Sequence, residues 1–365
     1  MTREDATEGA HGAAISPLHG PDAWIGEELL SDTRWQFKLD ETENLALWQA
    51  VRAAQAAGGG WQSLTAETFS IGCAQNLFGR IADELEHGRG LATVEGLDID
   101  RYDDESLRWL WFGIGCHLGT PLPQDYRGIL VRDITDEHQD TDAVHGHTLT
   151  ARDGSLFQSS KARTASNGPL RFHTDRADVV GLLCIRPAMT GGVSRIASSV
   201  AVHNAIVTQR PDLARLLYGP YERSRLGEEQ GGERDTYPLP IFGVRAGKFT
   251  SHYSRTYIEA AQELPSVAPL SSPQWEALDL LAEVASELCV EMTMARGDMQ
   301  FINNHVIYHA RTAYNDEAAP TERAGRRLRR IWLSAPKSRA LPLNHAVLWR
   351  NVDAGALRGG ISPGI

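Results

Sequence analysis

Two short segments of this 365-residue chain carry side chains whose types and spacing suit a metal ion. Phe172-His173-Thr174-Asp175 offers an imidazole and, two residues on, a carboxylate. On an extended strand, positions i and i+2 share a face, so His173 and Asp175 would point one way and Thr174 the other. Gly297-Asp298 through Asn304 leads to two further histidines, His305 and His309. In an extended segment these stand ~13 Å apart at ~3.3 Å per residue and cannot share an ion. On a helix, at i and i+4, they could, but the general-base Glu of an HExxH motif is missing. Phe301, Ile302, Val306, Ile307 and Tyr308 favour extension, so one of the two imidazoles is the candidate third ligand. Two His and one carboxylate on one face of an ion leave positions open for a chelating acid and oxygen, the arrangement of non-haem Fe(II) oxygenases. Taken singly, His-x-Asp reads as a hydrogen-bonded pair on a sheet, and a lone His as a buried imidazole with its partner. The force of the pattern lies in the combination.

A third segment adds charge. Along a strand, Leu328, Arg330 and Trp332 would share one face and Arg329, Ile331 and Leu333 the other. An Arg pointing inward beside Trp needs an anion, because an unpaired buried charge is costly. A guanidinium grips a carboxylate bidentately and keeps its proton, which suits the far carboxylate of a dicarboxylic cosubstrate. The plainer reading of Arg326 to Arg330 is a solvated basic edge. Strand parity also makes Arg329 dispensable where Arg330 is not.

These residues need a scaffold. Helices are expected over 40–57, with Leu45, Leu47, Trp48 and Val51 and a Gly58-Gly59-Gly60 stop. Others follow over 74–87, with Leu77, Ile81 and Leu85 on one face, and after the Asp103-Asp104 cap. Beyond residue 120 the character changes to short extended runs: 171–175, 179–185, 194–197, 287–294, 299–303, 306–312 and 329–334. Segments 241–245 and 248–253 flank Ala246-Gly247, a hairpin signal. Two helices interrupt them, near 199–217 and 272–287, the latter with Ser272 as cap and Pro273 in its first turn. Many short strands with Gly/Pro turns predict a mainly β, α+β fold, an antiparallel barrel or jelly roll with helices packed outside. The expected organisation is a flexible N-terminus over 1–22, a mostly helical part over 23–120, a catalytic core over 121–345 and a tail over 346–365. A polar, lid-like insertion over 132–168 falls within the core, and the whole reads as one catalytic domain.

Composition narrows the partners. The formal charge is −11, with 36 Lys+Arg against 47 Asp+Glu, and no basic tail, so nucleic acid is not expected. Cys73, Cys116, Cys184 and Cys289 are scattered without a CxxC, as expected of free thiols in a reducing cytosol. Met1 to Asp22 has no apolar signal core, and no apolar run approaches a membrane span. A cytoplasmic protein acting on a small molecule follows, as a monomer or a homo-oligomer.

Taken in order, the segments resemble the TauD/TfdA group (taurine dioxygenase) of Fe(II)/2-oxoglutarate-dependent oxygenases. Phe172-His173-Thr174-Asp175 resembles its HxD strand. Nineteen residues on (194 − 175), Thr190-Gly191-Gly192-Val193-Ser194 ends a turn similar to the family's TGGDT, with Val193 and Ser194 in place of Asp and Thr. Gly297-Asp298, Asn303-Asn304 and His309-Ala310-Arg311-Thr312 resemble its GD…DN…HGRT segment, with Ala310 for Gly. The resemblance spans roughly residues 90 to 335. It implies a double-stranded β-helix with Fe(II) on His173, Asp175 and His309. It implies 2-oxoglutarate held by Ser194 and by Arg326 and Arg330, of which Arg330 is favoured. O2 would be the co-reactant, and because Asp175 is present, hydroxylation or a related oxidation is implied rather than halogenation. Losing any one ligand should abolish turnover.

Substrate contacts are expected from the 132–168 stretch, with His145, His147, Ser159, Ser160, Lys161, Arg163 and Asn167, and from His252, Tyr253 and Arg255 after the hairpin. Asn167, His147, Arg255 and Tyr253 are the leading candidates, and their cationic members suit an acidic or sulfonated molecule. One rival reading makes His145-Gly146-His147 the ligand pair of a cupin-type dioxygenase without cosubstrate. A second is a non-catalytic jelly-roll binding protein, and a third is a zinc hydrolase.

Overall fold

The computed structural model of the chain describes residues 15–136, 148–150, 156–158, 166–225, 232–316 and 325–361. Three early helices form as their caps and apolar spacing require. Helix α1 (Glu41–Ala57) opens on a reciprocal capping box between Asp40 and Glu43 and stops at Gly58. Helix α2 (Gln75–His87) buries Leu77, Ile81 and Leu85, and α3 (Asp104–Leu118) is capped by the Asp103 carboxylate, which accepts from Ser106 N–H.

In chain order the strands of two sheets are β1 (Gln36–Lys38), β2 (Leu91–Glu95), β3 (Thr120–Pro121), β4 (Val131–Ile134), β5 (Leu170–His173), β6 (Val179–Arg186), β7 (Ser194–Ser198), β8 (Val290–Met292), β9 (Met299–Asn303), β10 (Ile307–Arg311) and β11 (Arg327–Ser334). The larger sheet runs β1-β2-β9-β6-β11-β3, with β4 also paired to β11, and the smaller runs β8-β7-β10-β5. Helices α1 to α3 cover the back of the large sheet, where Trp111 stacks on Phe301 with centroids 5.4 Å apart and Ile331 and Leu333 join the same apolar cluster. At Gly115 a side chain would meet Ile331, so the glycine lets α3 lie close against β11.

A second apolar cluster lies around the smaller sheet. Two helices supply much of it, α4 (Ser199–Gln209) and α5 (Pro211–Leu217); one helix was expected here, and Pro211 at the first turn of α5 marks the break. Helix α6 (Arg255–Gln262) was not expected, and α7 (Ser272–Leu288) is capped by Ser271, not Ser272, because Ser271 Oγ accepts from Gln274 N–H. Strand β2 also escaped the sequence reading. The hairpin over 242–251 does form; Ala246 (φ 51°) and Gly247 (φ 72°) give the two left-handed positions that match the strand twist.

Residues 346–361, read above as a tail, are packed against the body. Helix α8 (Ala346–Trp349) buries Trp349, and Arg358 donates from Nε to Oδ1 of buried Asp178 at 2.7 Å. Arg329, whose parity puts it on the face of β11 opposite Arg330, is fully buried. It bridges Asp133 on β4 and Asp104 at the start of α3, each at 2.8 Å.

Candidate active site

The site begins with strand pairing. In the antiparallel ladder between β5 and β10, His173 stands directly opposite His309, and their rings lie with centroids 4.1 Å apart. Asp175 lies just beyond the end of β5. Its Oδ1 is 3.7 Å from His173 Nε2 and its Oδ2 is 3.8 Å from His309 Nε2. These separations are too long for hydrogen bonds and suit donors arranged around a shared ion. The three ligand atoms all lie within 4.8 Å of one another. His305 is turned away and donates from Nε2 to Asp178 Oδ1, 2.7 Å off, inside the protein. Of the two imidazoles that spacing left open, His309 is the one that the fold brings to Asp175.

The surroundings fix each group. His173 Nδ1 donates to the Arg171 carbonyl at 2.9 Å, which orients the ring with Nε2 toward Asp175. The Asp175 backbone N–H donates to Asn304 Oδ1 at 2.9 Å, and the Asn304 amide donates back to the Asp175 and Ala177 carbonyls. Thr174 points the other way, as its parity predicts, and meets His252 Nδ1 at 3.0 Å and the Tyr253 backbone. On β11, Trp332 Nε1–H donates to Asp175 Oδ2 at 2.9 Å and Arg330 Nη1 approaches the same oxygen at 3.4 Å. Arg330 lies over the Trp332 ring and donates from Nε to Gln124 Oε1 at 2.7 Å.

The electrostatics favour ligation over proton binding. Burial raises the Asp175 carboxyl, but Arg330, His309, His173 and the Trp332 hydrogen bond outweigh it and hold it below the usual carboxylate range. Burial, with His173 and Arg330 behind it, lowers His309 to about 3, so the imidazole is neutral and able to donate a lone pair. The neutral His309 imidazole, with His173 opposite it and a carboxylate kept in its charged form, is a donor set that suits a divalent transition metal.

A second nook lies at the far end of β10. Ser194 pairs with Arg311 across the ladder and is buried. Arg326, also buried, lies over the Tyr314 ring at 5.1 Å and closes on Gly192 of the 190–194 turn. Among the described residues its Nη1 meets no hydrogen-bond partner.

The substrate candidates disperse. Asn167 is exposed and takes part through its carbonyl, which accepts from Tyr314 N–H. Arg255 sits on α6 with its guanidinium on Glu259 and Asp279, and Tyr253 is buried against Tyr308. Neither lines the cavity that opens onto His173 and Asp175. His147, His145, Ser159, Ser160, Lys161 and Arg163 fall outside the described residues. His252, also a candidate, does line that cavity, and much of the remaining wall comes from Arg176, Ser224, Tyr257, Leu348 and Ile361, which no motif had marked. Gln124 likewise carried no signal, since its role depends on a contact 206 residues away.

Comparison with known proteins agrees with this geometry. The family model described as "Taurine catabolism dioxygenase TauD, TfdA family" matches residues 59–332. The chain is 28% identical over 334 residues to FR-33289 synthase of Streptomyces rubellomurinus, covering 89% of the chain and 93% of that protein. It is 25% identical over 311 residues to the taurine hydroxylase-like protein SAT17 of Stachybotrys chartarum, covering 84% and 77%. Among solved structures, asparagine oxygenase (AsnO) matches with a TM-score of 0.63 at 17% identity over 88% of this chain and 99% of that one. The non-heme iron oxygenase OrfP, in complex with Fe and alpha-ketoglutaric acid, matches at 0.58 and 18% identity, over 82% and 93%. At these identities the solved structures speak for a shared fold.

Proposed function

The chain belongs to the TauD, TfdA family of dioxygenases, and we propose that it couples Fe(II), 2-oxoglutarate and O2 to hydroxylation of an unactivated C–H bond in a small organic molecule. The balance is one O2 and one 2-oxoglutarate consumed, one oxygen atom passing to succinate, the other to the product, with CO2 released. The iron and cosubstrate supply the oxidising chemistry when bound; the protein supplies ligands, orientation and a dry pocket. His173, Asp175 and His309 are the ligand set, and the convergence of their three donor atoms within 4.8 Å is the observation that carries the reading. Trp332 and Asn304 hold the Asp175 segment in place, and the Arg171 carbonyl sets the His173 tautomer.

Of the two cosubstrate arginines, the observations support Arg326 rather than Arg330. Arg330 is already engaged with Gln124 and touches Asp175 itself, so an anion on it would lie beside the metal. A five-carbon diacid that chelates through its keto-acid end carries its other carboxylate away from the ion. Arg326, with a buried unpartnered Nη1 near the 190–194 turn that ends at Ser194, suits that end.

The finer fold assignment is a double-stranded β-helix. The eight strands β4 to β11 alternate between the two sheets at every step except β7 to β8, which supports a jelly roll with α1 to α3 outside it. The 23–120 region, the core and the packed 346–361 segment then form one catalytic unit. Among the described residues no helix is long and apolar enough to cross a membrane.

The experiment is an anaerobic absorbance titration with Fe(II) and then 2-oxoglutarate, on the wild type and His309→Ala. A charge-transfer band that requires both additions and is lost in the variant supports the assignment. Tight zinc in place of iron, or no band, would overturn it.

A further inference from the structure

The cavity that opens onto His173 and Asp175 carries one guanidinium that no carboxylate of the described residues neutralises. Arg176 lines that cavity, directly after the carboxylate that faces the two imidazoles. Its backbone is fixed, because its carbonyl accepts from the Gly360 N–H at 2.7 Å. The other arginines nearby are occupied: Arg330 with Gln124 and Asp175, Arg225 with Glu233 at 3.3 Å, and Arg255 with Glu259 and Asp279. Among the described residues no carboxylate pairs with Arg176. Among the described residues Asp175 is the only acidic side chain on the cavity wall, and its oxygens face the two imidazoles.

Charge and size together restrict what fits. A guanidinium from which substrate displaces water must find an anion, or the desolvation goes uncompensated. Its planar fork matches an oxyanion with two parallel hydrogen bonds, which a neutral group cannot reproduce. Ser224 and Tyr257 add hydroxyls to the wall, while Leu348 and Ile361 are apolar. The cavity measures about 60 Å³, room for a few water-sized groups, so a compact head group suits it.

We propose that Arg176 is a specificity-determining residue that binds an oxyanion group of the substrate, carboxylate or tetrahedral phosphonate, phosphate or sulfonate, and so fixes the substrate beside the metal. This rests on the iron and 2-oxoglutarate reading above. It replaces Arg255, the sequence candidate for the same task, whose charge is neutralised by two carboxylates.

The test uses the Fe(II)-loaded protein under nitrogen with excess 2-oxoglutarate, so that the cosubstrate's own arginine is filled. Propionate, methylphosphonate, methanesulfonate and neutral propionamide are titrated in turn, followed by calorimetry and by the iron–cosubstrate absorbance band. At least one oxyanion should bind while propionamide does not. Its affinity should fall about tenfold or more in Arg176→Gln and recover in part in Arg176→Lys, with Fe(II) and 2-oxoglutarate binding unchanged in both. Preference for propionate would identify a carboxylate, and preference for either tetrahedral anion the other class. Equal binding of propionamide, competition with 2-oxoglutarate, no oxyanion binding, or an unchanged affinity in Arg176→Gln would overturn the proposal. Absence of the band in the wild type would count against the iron reading instead, and the calorimetric titrations would still decide the role of Arg176.

Discussion

The indole N–H of Trp332 donates to Oδ2 of Asp175, the same carboxylate oxygen that faces His309. The bond restrains a carboxylate that would otherwise rotate, and outer contacts of this kind tune metal affinity by about 10- to 100-fold. Trp332→Phe keeps the ring and removes the donor. Fe(II) affinity should fall about tenfold, read by competition with a chelator, with little change in thermal midpoint. Unaltered affinity would mean that the indole serves packing alone.

The two arginines four residues apart should separate cleanly. Arg326→Ala should weaken 2-oxoglutarate binding by about ten- to a hundredfold, the worth of hydrogen bonds to a charged group, while Fe(II) binding persists. Arg330→Ala should disturb Fe(II) binding through Asp175. Cosubstrate titrations of both variants, followed by the absorbance band, check the division; the reverse pattern would return the cosubstrate role to Arg330.

Arg329 makes a contrast of stability rather than chemistry. Removing this fully buried guanidinium leaves Asp133 and Asp104 without it. Breaking such a pair costs roughly 3 kcal/mol, the lower end of the range because Asp104 is about half exposed. Denaturant midpoints of Arg329→Ala should drop accordingly, and the folded remainder should still give the iron–cosubstrate band. A variant as stable as wild type would restore the view of Arg329 as a surface residue.

Acid should destabilise the fold from neutral pH downward. Burial first, and neighbouring cations after it for all but His203, lower the pKa of His203, His252, His305 and His345, the last to about 3. A histidine with a depressed folded pKa contributes its full stability above its unfolded value near 6.5 and loses it as pH falls toward the folded one. His345, and His309 in the metal-free protein, both lowered to about 3, should each remove roughly 1 kcal/mol by pH 5.5, and the other three act in the same direction. Denaturant midpoints of metal-free protein at pH 7.5 and 5.5 measure this. A flat profile would mean that these imidazoles are already protonated in the fold.

Local signals proved readable and distant ones did not. His173 and Asp175 were visible because two residues of one strand end carry both groups. His305 and His309 could not be ranked by spacing, since only the pairing of β10 with β5 decides which imidazole reaches the carboxylate. Helices α1 to α3 announced themselves through apolar periodicity, α1 and α3 also through their caps, whereas β2 did not stand out from the run between α2 and α3. Arg255 was misplaced because α6 begins immediately after the hairpin and turns the side chain toward Glu259 and Asp279. Arg176, Gln124 and Asn304 act through partners more than a hundred residues away, and no local pattern encodes such a contact.

The ladder pairing of His173 with His309 also bears on how the protein assembles. Sliding β10 past β5 by one residue would send His309 to the opposite face of the sheet, and the ion would lose a ligand. Only the correctly aligned chain can hold iron at full strength, so bound metal favours that alignment over its near misses by mass action. Iron then acts as a proofreader of strand alignment during folding as well as a reagent afterwards.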